Sequence, residues 1–252
     1  MKASRLSEGL DPRLQVIPER LRGVSRIVVV CSGKGGVGKT LIASLSALIA
    51  ARQGLAVGLL DLDFHGPSCR NVLGAFEAKP VEDRGLVPPV VAGVKLMSLD
   101  LFAGDAPLPL RGSDVTDATV ELLSVTRWGR LDLLVVDAPP GTGDELLDAV
   151  KLLPRLEALV VTTPSKLALA VVARLVALLK DLRIPVLGVL ENMSSGGSSS
   201  VEEAARAWGV SYLGWLPLDH LVEEALGDPE KLLRTSVARR LEDVLKRVGL
   251  IA

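Results

Sequence analysis

The chain has 252 residues, of which 48% are hydrophobic and 23% are charged, and its formal net charge is −1. This length and composition allow one substantial buried core, and the balanced charge gives no strong signal for nucleic acid or an anionic membrane as a partner. No apolar run approaches the ~18 residues of a membrane-spanning helix, and the first residues lack the apolar stretch of a secretion signal. We therefore expect a cytoplasmic protein without a membrane partner.

In chain order, the first segment is residues 1–24, which are polar and interrupted by proline. This pattern predicts a loosely attached arm or a short helix, followed by one domain over residues 25–252. Apolar runs in that domain are IVVV (27–30), AVGLLD (56–61), VKLMSL (94–99), LDLLVVD (131–137), ALVVTT (158–163), PVLGVL (185–190) and VSYLGWL (210–216). Continuous runs of this kind indicate strands buried on both faces of a parallel sheet.

Segments with helical periodicity lie between these runs. TLIASLSALIAARQG ends at Gly54, a suitable residue just beyond a helix, and PSKLALAVVARLVALLKDL opens with Pro164, which suits a first helical turn. Regular alternation of strands and helices indicates βαβ units and an α/β domain. The low-complexity stretch SSGGSSS (194–200) is expected to be a flexible loop.

A glycine-rich stretch, SGKGGVGKT, follows the first predicted strand and satisfies GxxxxGK[ST]. Its backbone N–H groups and the following helix N-terminus would surround phosphate oxygens. Lys39 should reach the β- and γ-phosphates, and the Thr40 hydroxyl should ligate Mg²⁺. The nucleotide-binding candidates are Gly33, Lys34, Gly35, Gly36, Val37, Gly38, Lys39 and Thr40. The alternative is a turn without a ligand, and the pattern itself does not require Lys34.

Three aspartates lie at the ends of two predicted strands or just beyond them. Asp61 and Asp63 lie in LLDLDFHGPS, and Asp137 lies in LLVVDAPPGTGD. The carboxyl ends of parallel strands form the edge where ligands bind in open α/β sheets, and Mg²⁺ favours carboxylates around its waters. These residues are therefore candidates for a metal site, and helix capping is the alternative for each.

With these motifs, the sequence resembles the MinD/ParA group of deviant-Walker-A P-loop ATPases, whose loop reads KGGVGK[ST], and within it the Mrp/ApbC branch. The matching segments are SGKGGVGKT, DLDFHGPS, RWGRLDLLVVDAPPGTGD, VTTPSKLALA, VLENMS and GWLPLD, from residue 25 to about residue 220. The resemblance implies a P-loop NTPase domain with a mostly parallel, twisted sheet of about seven or eight strands and helices on both faces. It also implies Mg²⁺ and ATP as ligands and slow ATP hydrolysis.

The resemblance gives the second lysine of the loop a role. In this group the residue matching Lys34 reaches across a nucleotide-sandwich homodimer to the partner's phosphates. An ammonium supplied in trans would stabilise the charge that spreads over the γ-phosphoryl group, as an arginine finger does. The alternative is a solvated loop lysine. The catalytic candidates are then Lys34, Lys39 and Asp63.

Other roles follow residue by residue from the same resemblance. Asp63 matches the carboxylate that orients the attacking water, Asp61 the strand-end residue near the metal, and Asp137 the Walker B aspartate that holds Mg²⁺ through water. Gly141 would present its N–H near the γ-phosphate. Asn192 matches the asparagine that recognises adenine, with turn capping as its alternative, and Pro217 would flank the base.

The sequence departs from the family at two places. Leu41 is also a nucleotide-binding candidate, but it stands where a second Ser or Thr is usual, so one hydroxyl contact worth ~1 kcal/mol would be missing. Cluster-carrying relatives usually have a CxxC pair after ENMS, whereas this chain reads ENMSSGGSSSVEEAA there. We therefore expect no stable iron–sulfur cluster in this chain.

The two cysteines do not form a recognisable site. Cys31 lies in the first predicted strand and is expected to be a buried apolar residue, whereas Cys69 is expected on a helix near the dimer face. A cluster bridged by Cys69 of two subunits stays open as an alternative. His65 and His220 are too isolated in the sequence to add metal ligands and are predicted to be plain loop histidines.

Two functions are compatible with these motifs. The first is an ATPase that drives iron–sulfur cluster assembly or transfer, with assembly proteins or apo-targets as partners. The second is a nucleotide-switched positioning protein of the MinD/ParA kind, while a nitrogenase-iron-protein-like reductase is disfavoured by the cysteine count. The tail SVARRLEDVLKRVGLIA could be a membrane-anchoring amphipathic helix, but we expect a docked last helix.

Overall fold

An eight-stranded sheet forms the centre of the computed structural model, which describes residues 11–103, 110 and 112–252. The strands in chain order are β1 (Val24–Ser32), β2 (Val57–Asp61), β3 (Val81–Glu82), β4 (Leu86–Val87), β5 (Val90–Val91), β6 (Val94–Met97), β7 (Leu131–Asp137), β8 (Leu156–Thr162), β9 (Val186–Ser194) and β10 (Tyr212–Pro217). The sheet order is β10-β9-β8-β1-β7-β2-β6-β5. All its neighbours are parallel except β5 and β6, and β3 and β4 form a separate antiparallel pair.

Helices connect the strands and cover both faces of the sheet. They are α1 (Pro12–Arg20), α2 (Lys39–Arg52), α3 (Cys69–Leu73), α4 (Asp100–Ala103), α5 (Ser113–Val125), α6 (Asp144–Leu152), α7 (Lys166–Asp181), α8 (Ser199–Ala207), α9 (Leu221–Ala225), α10 (Pro229–Leu232) and α11 (Ser236–Arg247). Alternate residues of β1 belong to two separate apolar cores, Val28 and Val30 to one and Ile27 and Val29 to the other. Since side chains alternate along a strand, this division confirms the predicted α/β domain with helices on both faces.

The N-terminal arm contains a docked helix. Asp11 caps α1 by accepting a hydrogen bond from the Arg13 backbone N–H, and Pro12 occupies its first turn. Ile17 and Leu21 are buried where this part of the chain packs against α5. Residues 12–20 are therefore a short helix rather than a loosely attached arm, whereas residues 1–10 lie outside the described part of the chain.

The stretch SSGGSSS is not a loop throughout. Ser194 is the last residue of β9, and Ser199 already begins α8. The Ser194 hydroxyl accepts hydrogen bonds from the backbone N–H groups of Gly196 and Gly197, and the Ser198 N–H donates to Glu191. In this turn the backbone N–H groups are thus satisfied by a serine hydroxyl and a buried carboxylate instead of by backbone carbonyls. The loop is therefore shorter than the low-complexity pattern predicts.

The last helix is docked, as expected. The buried face of α11 consists of Val237, Ala238, Leu241, Val244 and Leu245, and the helix contacts α2 and β10. Within the described residues, no helix combines the length and the apolar character that crossing a membrane requires.

Candidate nucleotide and metal site

Three adjacent strands bring the predicted site residues together. β1, β7 and β2 are neighbours in the sheet, and Asp61 at the end of β2 pairs in register with Asp137 at the end of β7. The glycine-rich loop leaves the same edge at the end of β1. Parallel strands thus place the loop and both carboxylates side by side, although they are far apart in sequence.

The glycine-rich loop needs glycine at particular positions. Gly36 and Gly38 have φ values of +76° and +82°, a region that side-chain-bearing residues rarely adopt. A Cβ atom at Gly38 would also lie 2.3 Å from the Asn192 amide nitrogen, and one at Gly33 would lie 2.9 Å from the Val172 backbone nitrogen. The loop ends at α2, which starts at Lys39 and is 14 residues long, so its N-terminal N–H groups and dipole favour an anion there.

Lys39 is buried between two of the predicted carboxylates. Its Nζ atom lies 2.7 Å from Asp137 Oδ1 and 3.4 Å from Asp63 Oδ2, and its side chain is only 6% exposed. Burial alone would lower the pKa of Lys39, but the charge and hydrogen bond of Asp137, together with the charges of Asp63 and Asp61, hold that pKa above its ordinary value. The ammonium therefore stays charged at neutral pH and is available to a phosphate.

Asp137 links the loop to the metal candidates. Its second oxygen, Oδ2, accepts a 2.6 Å hydrogen bond from the Thr40 hydroxyl. Its carboxylate is fully buried, and burial raises the pKa of Asp137 while the charge of Lys39 opposes that rise. A hydroxyl oxygen and a carboxylate oxygen this close together are ligands of the kind that Mg²⁺ binds, directly or through water.

Asp61 holds the loop that follows β2. Its carboxylate accepts hydrogen bonds from the backbone N–H groups of Asp63, Ser68 and Cys69, at 3.0 to 3.1 Å. Burial, with the charge of Asp137, raises the pKa of Asp61 to about 7. The capping alternative left open by the sequence is therefore present, because Cys69 begins α3, and the role of Asp61 near a metal stays a prediction.

Cys69 begins α3, so it lies on a helix as predicted, and its position near a dimer face stays a prediction. It is fully buried, and its Sγ atom lies 3.9 Å from Asp137 Oδ2. Single ligand atoms of Asp61, Cys69 and Asp137 all lie within 4.8 Å of one another. The fold-back of residues 63–68 onto Asp61 creates this proximity, and no sequence motif marks it. Cys31 is buried in β1, as expected.

The remaining loop candidates lie around this centre. Lys34 is exposed, as a residue that reaches another molecule must be. Leu41 is partly buried, and its side chain packs against the apolar core. It therefore does not replace the nucleotide contact that a Ser or Thr hydroxyl would make. The Gly141 N–H donates to the Ser32 carbonyl at 2.8 Å, so a phosphate would have to compete with that bond.

The adenine candidates come from the other half of the sheet. The Asn192 amide nitrogen donates to the Val37 carbonyl of the glycine-rich loop at 2.9 Å, and Asn192 is 2% exposed. Pro217 ends β10 and pairs in register with Ser194 at the end of β9. Both residues lie at the same edge of the sheet as the loop, but neither position alone tests a contact with a base.

His65 lies in the loop after β2, as predicted, and its side chain has a carboxylate partner that the sequence did not indicate. Its Nε2 atom lies 2.9 Å from Glu145 Oε1, which joins the loop after β2 to the first turn of α6. This contact was not recognisable in the sequence, because the two residues follow different strands. His220 lies directly before α9, consistent with a loop position.

Comparison with known proteins identifies close relatives over nearly the whole chain. Residues 23–249 match the family model described as ParA, NUBPL iron-transfer P-loop NTPase. The chain is 35% identical over 251 residues to the iron-sulfur cluster carrier protein of Methanocaldococcus jannaschii, covering 92% of this chain and 87% of that one. It is 36% identical over 248 residues to the protein of the same description from Pyrococcus furiosus, covering 88% and 84%.

Solved structures share the fold. The nucleotide-binding protein of Archaeoglobus fulgidus, determined in complex with ADP, superposes with a TM-score of 0.72 at 32% identity, covering 91% of this chain and 93% of that chain. The cell division ATPase MinD of Pyrococcus furiosus has a TM-score of 0.67 at 20% identity, covering 89% and 100%. At that lower identity the similarity shows the fold alone.

Proposed function

This chain belongs to the ParA/NUBPL family of iron-transfer P-loop NTPases, and we propose that it binds Mg²⁺-ATP, hydrolyses it slowly and acts as an ATP-dependent dimer switch in iron–sulfur cluster assembly or transfer. The observation that carries the proposal is the convergence of Lys39, Thr40, Asp63 and Asp137 at one sheet edge. These groups supply an ammonium for phosphate, a hydroxyl for a metal ion and two carboxylates within a few ångströms of each other.

Binding would rearrange these contacts in a defined way. Lys39 would turn from Asp137 to the β- and γ-phosphates, and Mg²⁺ would take the place of its ammonium beside Asp137 and Thr40. Asp63, whose side chain is 15% exposed and 3.4 Å from Lys39, would then orient the attacking water. The group that we assign to the attacking water is the carboxylate of Asp63, and carboxylates are weak general bases, so we propose slow hydrolysis.

Lys34 would complete the site of a second subunit. Its exposed position on the phosphate loop allows its ammonium to reach outward, and a cation supplied in trans can stabilise the charge on the transferred phosphoryl group. Hydrolysis would then require two chains face to face. ATP would favour the dimer and ADP would release it, which is the switch that we propose.

The proposed iron role needs ligands from another protein. The two relatives above are described as iron–sulfur cluster carriers, and cluster ligation requires accessible thiolates held close together. The whole chain has two cysteines, and both are buried. An assembly protein or an apo-target would therefore supply the cluster ligands, while this chain supplies the nucleotide-driven change.

The test compares Lys34→Ala with Lys246→Ala, a control that removes an exposed lysine from α11. Calorimetry should show Mg²⁺-ATP binding by both variants, whereas hydrolysis should fall at least tenfold in Lys34→Ala alone. Light scattering should show an ATP-induced doubling of mass in the wild type and the control. A wild type that stays monomeric with Mg²⁺-ATP, or equal hydrolysis in both variants, would contradict the switch.

A further inference from the structure

A second cleft lies at the amino ends of the strands, opposite the carboxyl ends that carry the glycine-rich loop. It has a volume of about 680 Å³ and lies where α1 leads into β1 and where α5 leads into β7. β1 has nine residues, so at ~3.3 Å per residue this cleft is roughly 30 Å from the nucleotide loop. It is therefore separate from the site described above.

The lining of this cleft is strongly basic. It contains one acidic side chain, Glu19, and five cationic ones, which are Arg20, Arg22, Lys95, Arg127 and Arg130. The whole chain, by contrast, has 29 basic and 30 acidic residues. Like charges gathered in a concave surface produce a local positive potential that attracts anions, although the net charge of the molecule is close to zero.

Most of these cations are not neutralised by carboxylates. Arg20 donates to the carbonyl oxygens of Ser124 and Arg84, and the Lys95 ammonium donates to the Trp128 carbonyl. Such contacts fix the side chains but leave their full charge in place. Arg127 is the member with an ion pair, to Asp83 at 2.6 Å.

Two guanidinium groups are available at the rim. Arg22 and Arg130 are both exposed, and within the described residues neither side chain has a hydrogen-bond or ion-pair partner. The loops that carry them are held against each other, because the Leu131 N–H donates to the Gly23 carbonyl at 3.0 Å. A Cβ atom at Gly23 would lie 2.4 Å from the Gly129 carbonyl oxygen, so backbone packs on backbone between the two arginines.

We propose that this cleft binds a small molecule carrying two or more phosphate charges. Arginine forms planar bidentate pairs with phosphate, and the volume is within the ~300–1,000 Å³ range of small-molecule sites. The described lining offers no stacking face for the bases of single-stranded nucleic acid, because its one aromatic residue, Trp128, is fully buried.

Calorimetric titration with pyrophosphate tests the proposal. In wild-type protein saturated with Mg²⁺-ADP, pyrophosphate should bind at one further site, and Arg22→Gln/Arg130→Gln should weaken that binding at least tenfold. The control, Arg174→Gln/Arg206→Gln, removes the same charge from exposed positions on α7 and α8 and should leave the affinity unchanged. Because Mg²⁺-ADP occupies the phosphate loop in this titration, further pyrophosphate binding reports on the cleft alone.

The same titration without nucleotide keeps the two sites distinguishable. Wild-type protein should take up two pyrophosphates and the cleft variant one; if the nucleotide site were wrongly assigned, these numbers would be one and none. Equal pyrophosphate affinity in the cleft and control variants would overturn the proposal, as would a wild type with no further site. Binding of a single-stranded oligonucleotide, lost in the cleft variant without any pyrophosphate binding, would also overturn it in favour of a nucleic-acid surface.

Discussion

Lys39 and Asp137 form a buried ion pair, with 2.7 Å between Nζ and Oδ1. Asp137 also accepts the Thr40 hydroxyl, so one carboxylate holds both residues that phosphate and metal would engage. A phosphate can recruit Lys39 only if another cation takes its place beside Asp137. Nucleotide and Mg²⁺ should therefore bind together.

Lys39→Ala tests this pairing. The variant removes the phosphate cation, and we expect Mg²⁺-ATP affinity measured by calorimetry to fall about 100-fold or more, equivalent to about 2.7 kcal/mol. It also leaves Asp137 buried and unpaired, so the free energy of unfolding in urea should fall by about 3 kcal/mol. Unchanged nucleotide affinity in a folded variant would show that Lys39 serves only the ion pair.

Asp63→Ala separates catalysis from binding. Asp63 contacts Lys39 at 3.4 Å, longer than the Asp137 contact, and is partly exposed, so its loss should change Mg²⁺-ATP affinity by no more than about threefold. Loss of the carboxylate that orients water should lower hydrolysis by about 100-fold, within the usual range for such groups. The ATP-bound dimer should then persist in light scattering. An affinity loss as large as that of Lys39→Ala would refute the separate roles.

Asn192→Ala addresses base recognition. The Asn192 amide nitrogen donates a hydrogen bond to the Val37 carbonyl, so two roles are to be separated, recognition of adenine and support of the loop. If it reads the base, ATP affinity should fall about tenfold, or about 1.4 kcal/mol, whereas affinity for inorganic triphosphate should stay the same. A parallel fall for both ligands would assign Asn192 to loop support.

The thiols should be unreactive in the folded chain. Burial raises the pKa of Cys31 to about 12, and burial together with the charges of Asp61 and Asp137 raises the pKa of Cys69 well above its ordinary value. An aromatic disulfide reagent at pH 8 should therefore label no thiol in native protein and two in urea. Anaerobic reconstitution with iron and sulfide should leave no stoichiometric iron. Iron retained by the wild type and by Cys31→Ser, but lost in Cys69→Ser, would restore the carrier role to this chain.

The stability of the folded chain should depend on pH through Asp61. The pKa of this carboxyl is about 7 in the folded chain, against an ordinary value of 3.8, so the folded state retains a proton that the unfolded state releases. Stability in urea without Mg²⁺ or nucleotide should therefore fall as the pH rises from about 4 to about 7 and level off above that. Asp61→Asn should flatten this slope, whereas the exposed control Asp243→Asn should not. Identical slopes in wild type and Asp61→Asn would contradict the assignment.

The sequence predicts the parts of this fold that obey simple periodicity. Each of the seven long apolar runs overlaps a strand, and Asp61 and Asp137 lie together because both end neighbouring parallel strands. The two-residue strands β3, β4 and β5 were missed, since pairs of partly exposed residues carry no pattern. The start of α8 at Ser199 was missed because serine repeats favour loops by composition, whereas local hydrogen bonds decide here.

The site was less predictable where it depends on folded-back loops. The proximity of Cys69 to Asp137 arises from the hydrogen bonds that Asp61 accepts from Ser68 and Cys69, and a one-dimensional motif does not contain this information. The basic cleft has the same origin. Arg22 and Arg130 are distant in sequence, and the balanced net charge hides their approach.

The position of β1 in the sheet has a consequence for how the molecule responds to heat. β1 pairs with β7 from Val24 to Val30 and with β8 from Ile27 to Ser32, so the amides at its centre can exchange with solvent only when the centre of the sheet opens. The phosphate loop is the direct continuation of this strand. Loss of nucleotide binding on heating should therefore coincide with global unfolding rather than precede it, and the loop should have no low-temperature transition of its own.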